Sequence, residues 1–394
     1  MNYKIDPSLL KFADKKIAKN TVTVHKSNAR LFWERFTKKK TNIVALIFFV
    51  IILLSILIAT FFIKYSPTNS IHQNSFVVNN LPSEYLDVVN RNFERGDQLD
   101  FIRKIAELEQ NRATQLGEIP VFKILFDSSR DVGGSMTTNT DIVELWYSPY
   151  DLIKAINLNV DEVNKIKIDH TIILGTNSNG IDIFSRLLTS FWLTILIIFT
   201  SMIFNIFTGF TLGSLSGLNK EKMFFKFIDM IASFINSIPE LIWIFILCIA
   251  FTTNFIGIVC AFILISWTTF YELSKNETLQ LRHKDFINSA KAIGLNQFQL
   301  IYLEIFKIIL PSIINLIIDR FCMNLLIISS LSFLDLITNS SNLNIGSILK
   351  EAINSISYNP SYLIVVVILI TSFTVSLKLF NNSLSQTFNP IISK

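Results

Sequence analysis

Long runs with few or no charges alternate along the chain with a few polar blocks. Ile43 to Ile63 is uncharged, and further apolar runs occupy 187–218, 227–251, 255–270, about 307–334 and 362–380. About 20 apolar residues suffice to cross a bilayer as a helix. The pattern therefore predicts an all-α polytopic membrane protein with six transmembrane helices. Three polar blocks interrupt it, at 1–42, 65–169 and 276–306. The domain organisation expected is a basic N-terminal segment (1–42), a first transmembrane helix (43–64), an insert domain (65–169) and a membrane core with five further spans (170–394).

The last polar block has the most regular internal pattern. Phe286, Ile287, Ala290 and Ile293 fall on one face at helical spacing, and Lys284, Asp285, Asn288 and Lys291 fall on the other. Gly294 follows, where a helix C-terminus needs a residue that accepts positive φ. Asn296 and Gln299 have the spacing of a capping box for a second helix. The local expectation is helix, sharp turn, helix, lying on a membrane face because spans flank it.

The insert reads as a small α/β unit. Phe101, Ile102, Ile105 and Leu108 predict a helix over 98–116, and 121–126 and 142–147 are strand candidates. Ser148-Pro149 can open another helix. Arg130 to Thr140, with Gly133-Gly134, reads as an exposed loop. It lacks the Lys-Ser or Lys-Thr of a phosphate-binding loop.

Composition and charge then fix the class and the orientation. Half of the residues are hydrophobic, which excludes a soluble enzyme. Residues 1–42 hold eleven Lys and Arg against three acids. By the positive-inside rule this segment stays in the cytoplasm and the insert faces outward. Membrane topology accounts for that charge, so no nucleic-acid partner is inferred. Cys248, Cys260 and Cys322 all lie in apolar runs, so no disulfide framework holds the insert. Gly209, Gly213 and Gly217 form one stripe that permits close helix approach, either within this chain or against a partner. Asp319 and Arg320 are charges in mid-span, where an unpaired charge is costly. They read equally as an intramembrane pair and as part of a translocation path.

Several segments, in the same order, resemble the C-type permease subunits of oligopeptide and dipeptide ABC importers. Leu31 to Phe36 is similar to their aromatic and basic lead-in. His170, Leu174-Gly175-Thr176-Asn177, Gly180-Ile181-Asp182 and Ser185-Arg186-Leu187 resemble their signature, with Asn177 and Ile181 replacing an Asp and an Arg. Asn288-Ser289-Ala290, three residues, then Gly294 resembles their EAA loop, with its first acid lost to Asn and Asp285 three residues earlier. Leu331-Ser332-Phe333-Leu334 and Gly346-Ser347-Ile348-Leu349 match further on. The family's Leu-Pro pair arrives late, at Leu310-Pro311.

The resemblance implies a type I importer permease core, multi-pass in the cell membrane with both termini cytoplasmic. It implies a homologous second permease, two cytoplasmic ATPases that bind ATP and Mg, an extracytoplasmic peptide-binding protein and surrounding membrane lipid as partners. This chain would hold no cofactor and hydrolyse no ATP itself. Asp285, Asn288, Ser289, Ala290 and Gly294 would couple it to the ATPases. Within this class a nickel or other small-solute importer is the alternative cargo. A surface receptor or adhesin would need one span, not six. An intramembrane enzyme would need clustered His, Asp or Glu at membrane depth, for which only Asp229, Asp319 and Arg320 are candidates.

Overall fold

The computed structural model describes residues 28–72, 75–86, 88–131, 142–159, 165–251, 254–333 and 343–388. The basic residues before 28, most of the Gly133-Gly134 loop, Leu334 and Pro390 lie outside these residues. Fifteen helices are described: α1 (Asn28–Lys38), α2 (Lys40–Thr60), α3 (Asp97–Leu116), α4 (Ser128–Asp131), α5 (Pro149–Asn159), α6 (Ile183–Leu218), α7 (Met223–Asn236), α8 (Glu240–Phe251), α9 (Phe255–Ile265), α10 (Trp267–Leu281), α11 (Asp285–Ala292), α12 (Gln297–Gln299), α13 (Phe306–Phe333), α14 (Ile345–Asn354) and α15 (Pro360–Phe388). Three strands, β1 (Val89–Glu94), β2 (Phe126–Asp127) and β3 (Ile142–Tyr147), form one small sheet.

Five helical stretches are long and apolar enough to cross a membrane: α2, α6, α9 with α10, the helix from Gln297 to Leu331, and α15. The sixth expected span is not one straight helix. α7 and α8 meet at 93° across Ser237-Ile238-Pro239. Pro239 has no N–H to continue the ladder, and its ring disfavours helical backbone at Ile238. The continuous run over 227–251 is thus corrected to two helices bent at Pro239, a broken span or a re-entrant loop.

The predicted loop of 276–306 is also shorter than expected. α10 runs on to Leu281 because Ser274 and Thr278, with no exposed surface, pack against α6. The glycine stripe supplies the groove. A Cβ on Gly209 would lie 2.6 Å from the Trp267 carbonyl oxygen, and one on Gly217 would lie 2.7 Å from Thr278 Cβ. Of the two readings left open for the stripe, the structure shows packing within the chain. The other end of the loop is a π-helical turn over Leu300–Ile305 that leads into α13, with Pro311 inside that helix.

In the insert the sheet order is β1-β3-β2, both pairs antiparallel, with Val89 opposite Tyr147 and Phe126 opposite Trp146. The strand expected over 121–126 reduces to Phe126–Asp127, and β1 was not anticipated. Its sequence, VNRNFE, carries only two apolar residues. The alternation still places Arg91 and Phe93 on the more covered face. Leu99, Ile102 and Ile105 of α3 pack with Leu152, Ala155 and Ile156 of α5 and with Val143 and Leu145 of β3. Glu109 lies fully buried within this unit, accepting from Arg112, Asn159 and the Val121 N–H. Hydrogen bonding from Arg112 holds its carboxyl down at about 2.

Residues 80–84 of the insert are zipped to the segment before α6. The Thr176 N–H donates to the Leu81 carbonyl at 3.0 Å, and the Leu81 N–H donates to Thr176 Oγ1 at 2.8 Å. Gly175 and Gly180 turn that segment at φ +87° and +69°. Arg186, at the start of α6, is buried against Glu351 at 2.9 Å and donates to the Pro67 carbonyl.

Candidate functional site

The helix–turn–helix of 285–299 forms as its sequence predicts. The first helix, α11, ends in a Schellman motif. The Leu295 N–H reaches the Ala290 carbonyl at 3.2 Å, and the Gly294 N–H reaches Lys291 at 3.0 Å. Gly294 carries the required positive φ, +95°. Asn296 caps α12, its Oδ1 accepting from the Gln299 N–H at 2.8 Å while Gln299 Oε1 accepts from the Asn296 N–H at 3.0 Å.

This turn leaves an apolar tip. Ile287 and Ala290 are buried beneath it, whereas Ile293 is 83% exposed and Phe298 58% exposed. Asp285, Asn288 and Ser289 line its exposed flank. Beyond its two chain neighbours, no atom of the described residues lies within 4 Å of where a Gly294 Cβ would project. A concave partner could therefore close on the tip without displacing anything.

Two side-chain groups tie this tip and the turn after it to α6. Gln297 and Asn219, at the end of α6, exchange two amide hydrogen bonds of 3.2 and 3.1 Å. Tyr302 OH lies 2.5 Å from Thr211 Oγ1, and its ring meets Phe210 edge-on. Deeper in, Lys275 pairs with Asp229 at 2.5 Å, and Tyr271 also donates to Asp229. Loop movement would thus be carried to α6, and α10 is tied to α7. The Asn219–Gln297 link was missed because an amide pair 78 residues apart leaves no periodic signal.

Asp319 and Arg320 are not partners of each other. On a helix, neighbouring residues point about 100° apart, so they face different elements. Arg320 donates to both carboxylate oxygens of Glu240, at the break between α7 and α8, and Ser266 donates to the same carboxylate. Asp319 accepts from Asn381 of α15 at 3.4 Å. Glu240 was overlooked as an intramembrane charge. Its place directly after Pro239 was the available signal, since a span break leaves backbone and side-chain groups that need polar partners.

A helical membrane core carrying such a loop can be compared with known proteins. Residues 209–389 match the model of the binding-protein-dependent transport system inner membrane component, and residues 27–82 match the N-terminal TM domain of oligopeptide transport permease C. The two matches together cover more than half of the chain, in the expected order. Over these two stretches the chain belongs to this permease family.

Among its relatives, the chain is 22% identical over 233 residues to the dipeptide transport system permease protein DppC of Lactococcus lactis subsp. cremoris, covering 56% of this chain and 64% of that protein. It is 24% identical to the glutathione transport system permease protein GsiD of Pectobacterium atrosepticum, covering 55% of this chain and 72% of that protein. It is 27% identical over 137 residues to the metal-staphylopine import system permease protein CntC of Staphylococcus aureus, covering 35% of this chain and 47% of that protein. The family match and the long apolar helices make this chain a multi-pass membrane protein. The family match to 209–389 begins only after the insert, which lies largely between the two matched stretches.

Proposed function

We propose that the chain is the C-type permease subunit of an ATP-driven importer of oligopeptides or dipeptides. The observation that carries this reading is the exposed Ile293-Gly294 tip, built on the core that the family models match. In this reading the tip and the flank formed by Asp285, Asn288 and Ser289 seat in a cleft of a cytoplasmic ATPase. Ala290 supports the turn from beneath. Two such ATPases bind ATP and Mg, and this chain holds neither. A homologous second permease completes the translocation path, and an extracytoplasmic binding protein delivers the peptide.

The termini and the loop lie in the cytoplasm and the insert outside, as the basic N-terminal segment requires. Nucleotide-driven closure of the ATPases moves the loop. Asn219–Gln297 and Tyr302–Thr211 pass that movement to α6. The peptide assignment draws on the dipeptide and glutathione relatives. Asp319 and Arg320 have partners within the chain, which favours a structural role for both over direct contact with cargo.

The test is uptake by the complete importer reconstituted in proteoliposomes. A radiolabelled dipeptide or tetrapeptide should accumulate with internal ATP, and unlabelled peptide should compete where nickel does not. Accumulation of nickel in place of peptide would overturn the cargo assignment.

A further inference from the structure

A half-open cleft of about 590 Å³ lies between the insert and the membrane core. Pockets of roughly 300–1,000 Å³ are the size that holds small ligands. One wall is the segment around Phe76 to Asn80, another is Arg91 to Gln98, and Tyr147 and Leu152 lie at its base. Ser178 and Tyr358 reach it from the core side. The cleft thus opens where the insert meets the segment that leads into α6.

The second wall contains an unpaired sheet edge. β1 pairs with β3 alone, so its other side is free among the described residues. The parity of that edge can be worked out. In β3, the Glu144 N–H donates to Ser128 Oγ, and the Trp146 carbonyl accepts from the Leu125 N–H, so both face β2. Leu145 and Val143 must then face β1, opposite Arg91 and Phe93. The backbone groups of Asn92 and Glu94 consequently point away from the sheet, beside the cleft. Arg91 braces the opposite wall by donating to the carbonyls of Asn79 and Asn80.

Charge completes the picture. Glu94, Arg95 and Asp97 are exposed on the cleft wall, and none forms an ion pair among the described residues. Both signs are therefore available within one short stretch. A free peptide carries an ammonium at one end and a carboxylate at the other, whereas an internal loop of a docked protein carries neither. A cleft with a free strand edge and charges of both signs suits the free peptide.

We propose that this cleft binds a short extended peptide, which adds to β1 as a further strand, with its main chain bonded to Asn92 and Glu94. This deepens, and rests on, the peptide-import reading above. Recognition through the main chain is indifferent to side-chain identity. The insert would then concentrate peptides of varied sequence next to the permease.

The experiment uses the full chain assembled with its partner permease and ATPases in lipid nanodiscs, without the binding protein. Tetra-alanine is the probe, and equilibrium binding is the readout. Asn92→Pro removes one edge N–H that the β1–β3 ladder does not use, which an edge strand tolerates. It should weaken binding about tenfold, the loss expected for about 1.4 kcal/mol. A second arm leaves the protein unchanged and N-methylates the tetrapeptide at single positions. Methylation should weaken binding at alternate positions only, because alternate residues face the strand.

Equal binding by Asn92→Pro and by every methylated peptide would overturn the proposal, as would the absence of tetra-alanine binding. Either result would leave peptide uptake by the complete importer standing. Conversely, a complete importer that carries no peptide would overturn the functional reading whatever the cleft binds.

Discussion

Gly294 shows how one residue can meet a backbone demand that its neighbours cannot. At φ +95° a β-branched side chain is strained, by about 1–3 kcal/mol. Beyond its neighbours, no atom of the described residues would meet its Cβ, so the strain comes from the backbone. Gly294→Val is expected to insert and assemble normally yet lose substrate-stimulated ATP hydrolysis and uptake together. Gly294→Asn, which tolerates left-handed backbone better, should retain a larger share of both. Normal stimulation in a correctly assembled Gly294→Val complex would reduce the loop to a connector. This residue was legible in the sequence because a helix C-terminus makes a local demand on φ. The partners of Gln297 and Arg320 were not, because neither Asn219 nor Glu240 is local.

Among the elements, the bent pair of α7 and α8 is the one held by charge. Pro239 ends the ladder of α7, and Glu240 at the start of α8 then meets Arg320 of α13. Both side chains are largely shielded, at 19% and 12% exposure. Removing one partner of a buried pair leaves the other charge uncompensated, at about 3–5 kcal/mol. Glu240→Gln and Arg320→Gln should each therefore lower the stability of the purified protein by that order in a denaturant titration. The double variant should recover much of the loss, since no bare charge remains. Additive losses would mean that the two residues act independently. α6 and α10 pack on a different principle: their glycine stripe allows close backbone approach and needs no charge.

The arrangement of the whole molecule predicts which surfaces water-soluble reagents can reach. If the insert faces outward and the loop faces the cytoplasm, a cysteine at Gln110 should react with an impermeant thiol reagent in intact cells. One at Glu221, in the turn after α6, should react only after the cells are opened. Both positions are exposed, so accessibility within the fold does not separate them. Labelling of Glu221→Cys in intact cells to the extent seen at Gln110 would invert the proposed topology.

Periodicity, caps and glycines were enough to place α2, α3, α5, α6, α11, α15 and the turn at Gly294. Each depends on contacts or dihedral demands within a few residues, which sequence records directly. Sequence also carried the family, through short motifs kept in order. Only the tertiary structure decided the remainder. It split the run over 227–251, which an apolar pattern cannot do because lipid-facing helices read the same whether straight or bent. It drew β1 from a polar segment, because pairing with β3 outweighs weak strand propensity. It gave Arg320 a partner 80 residues away and Arg186 one 165 residues away. Ion pairs at such separations have no spacing rule, and are settled only when the helices that carry them meet.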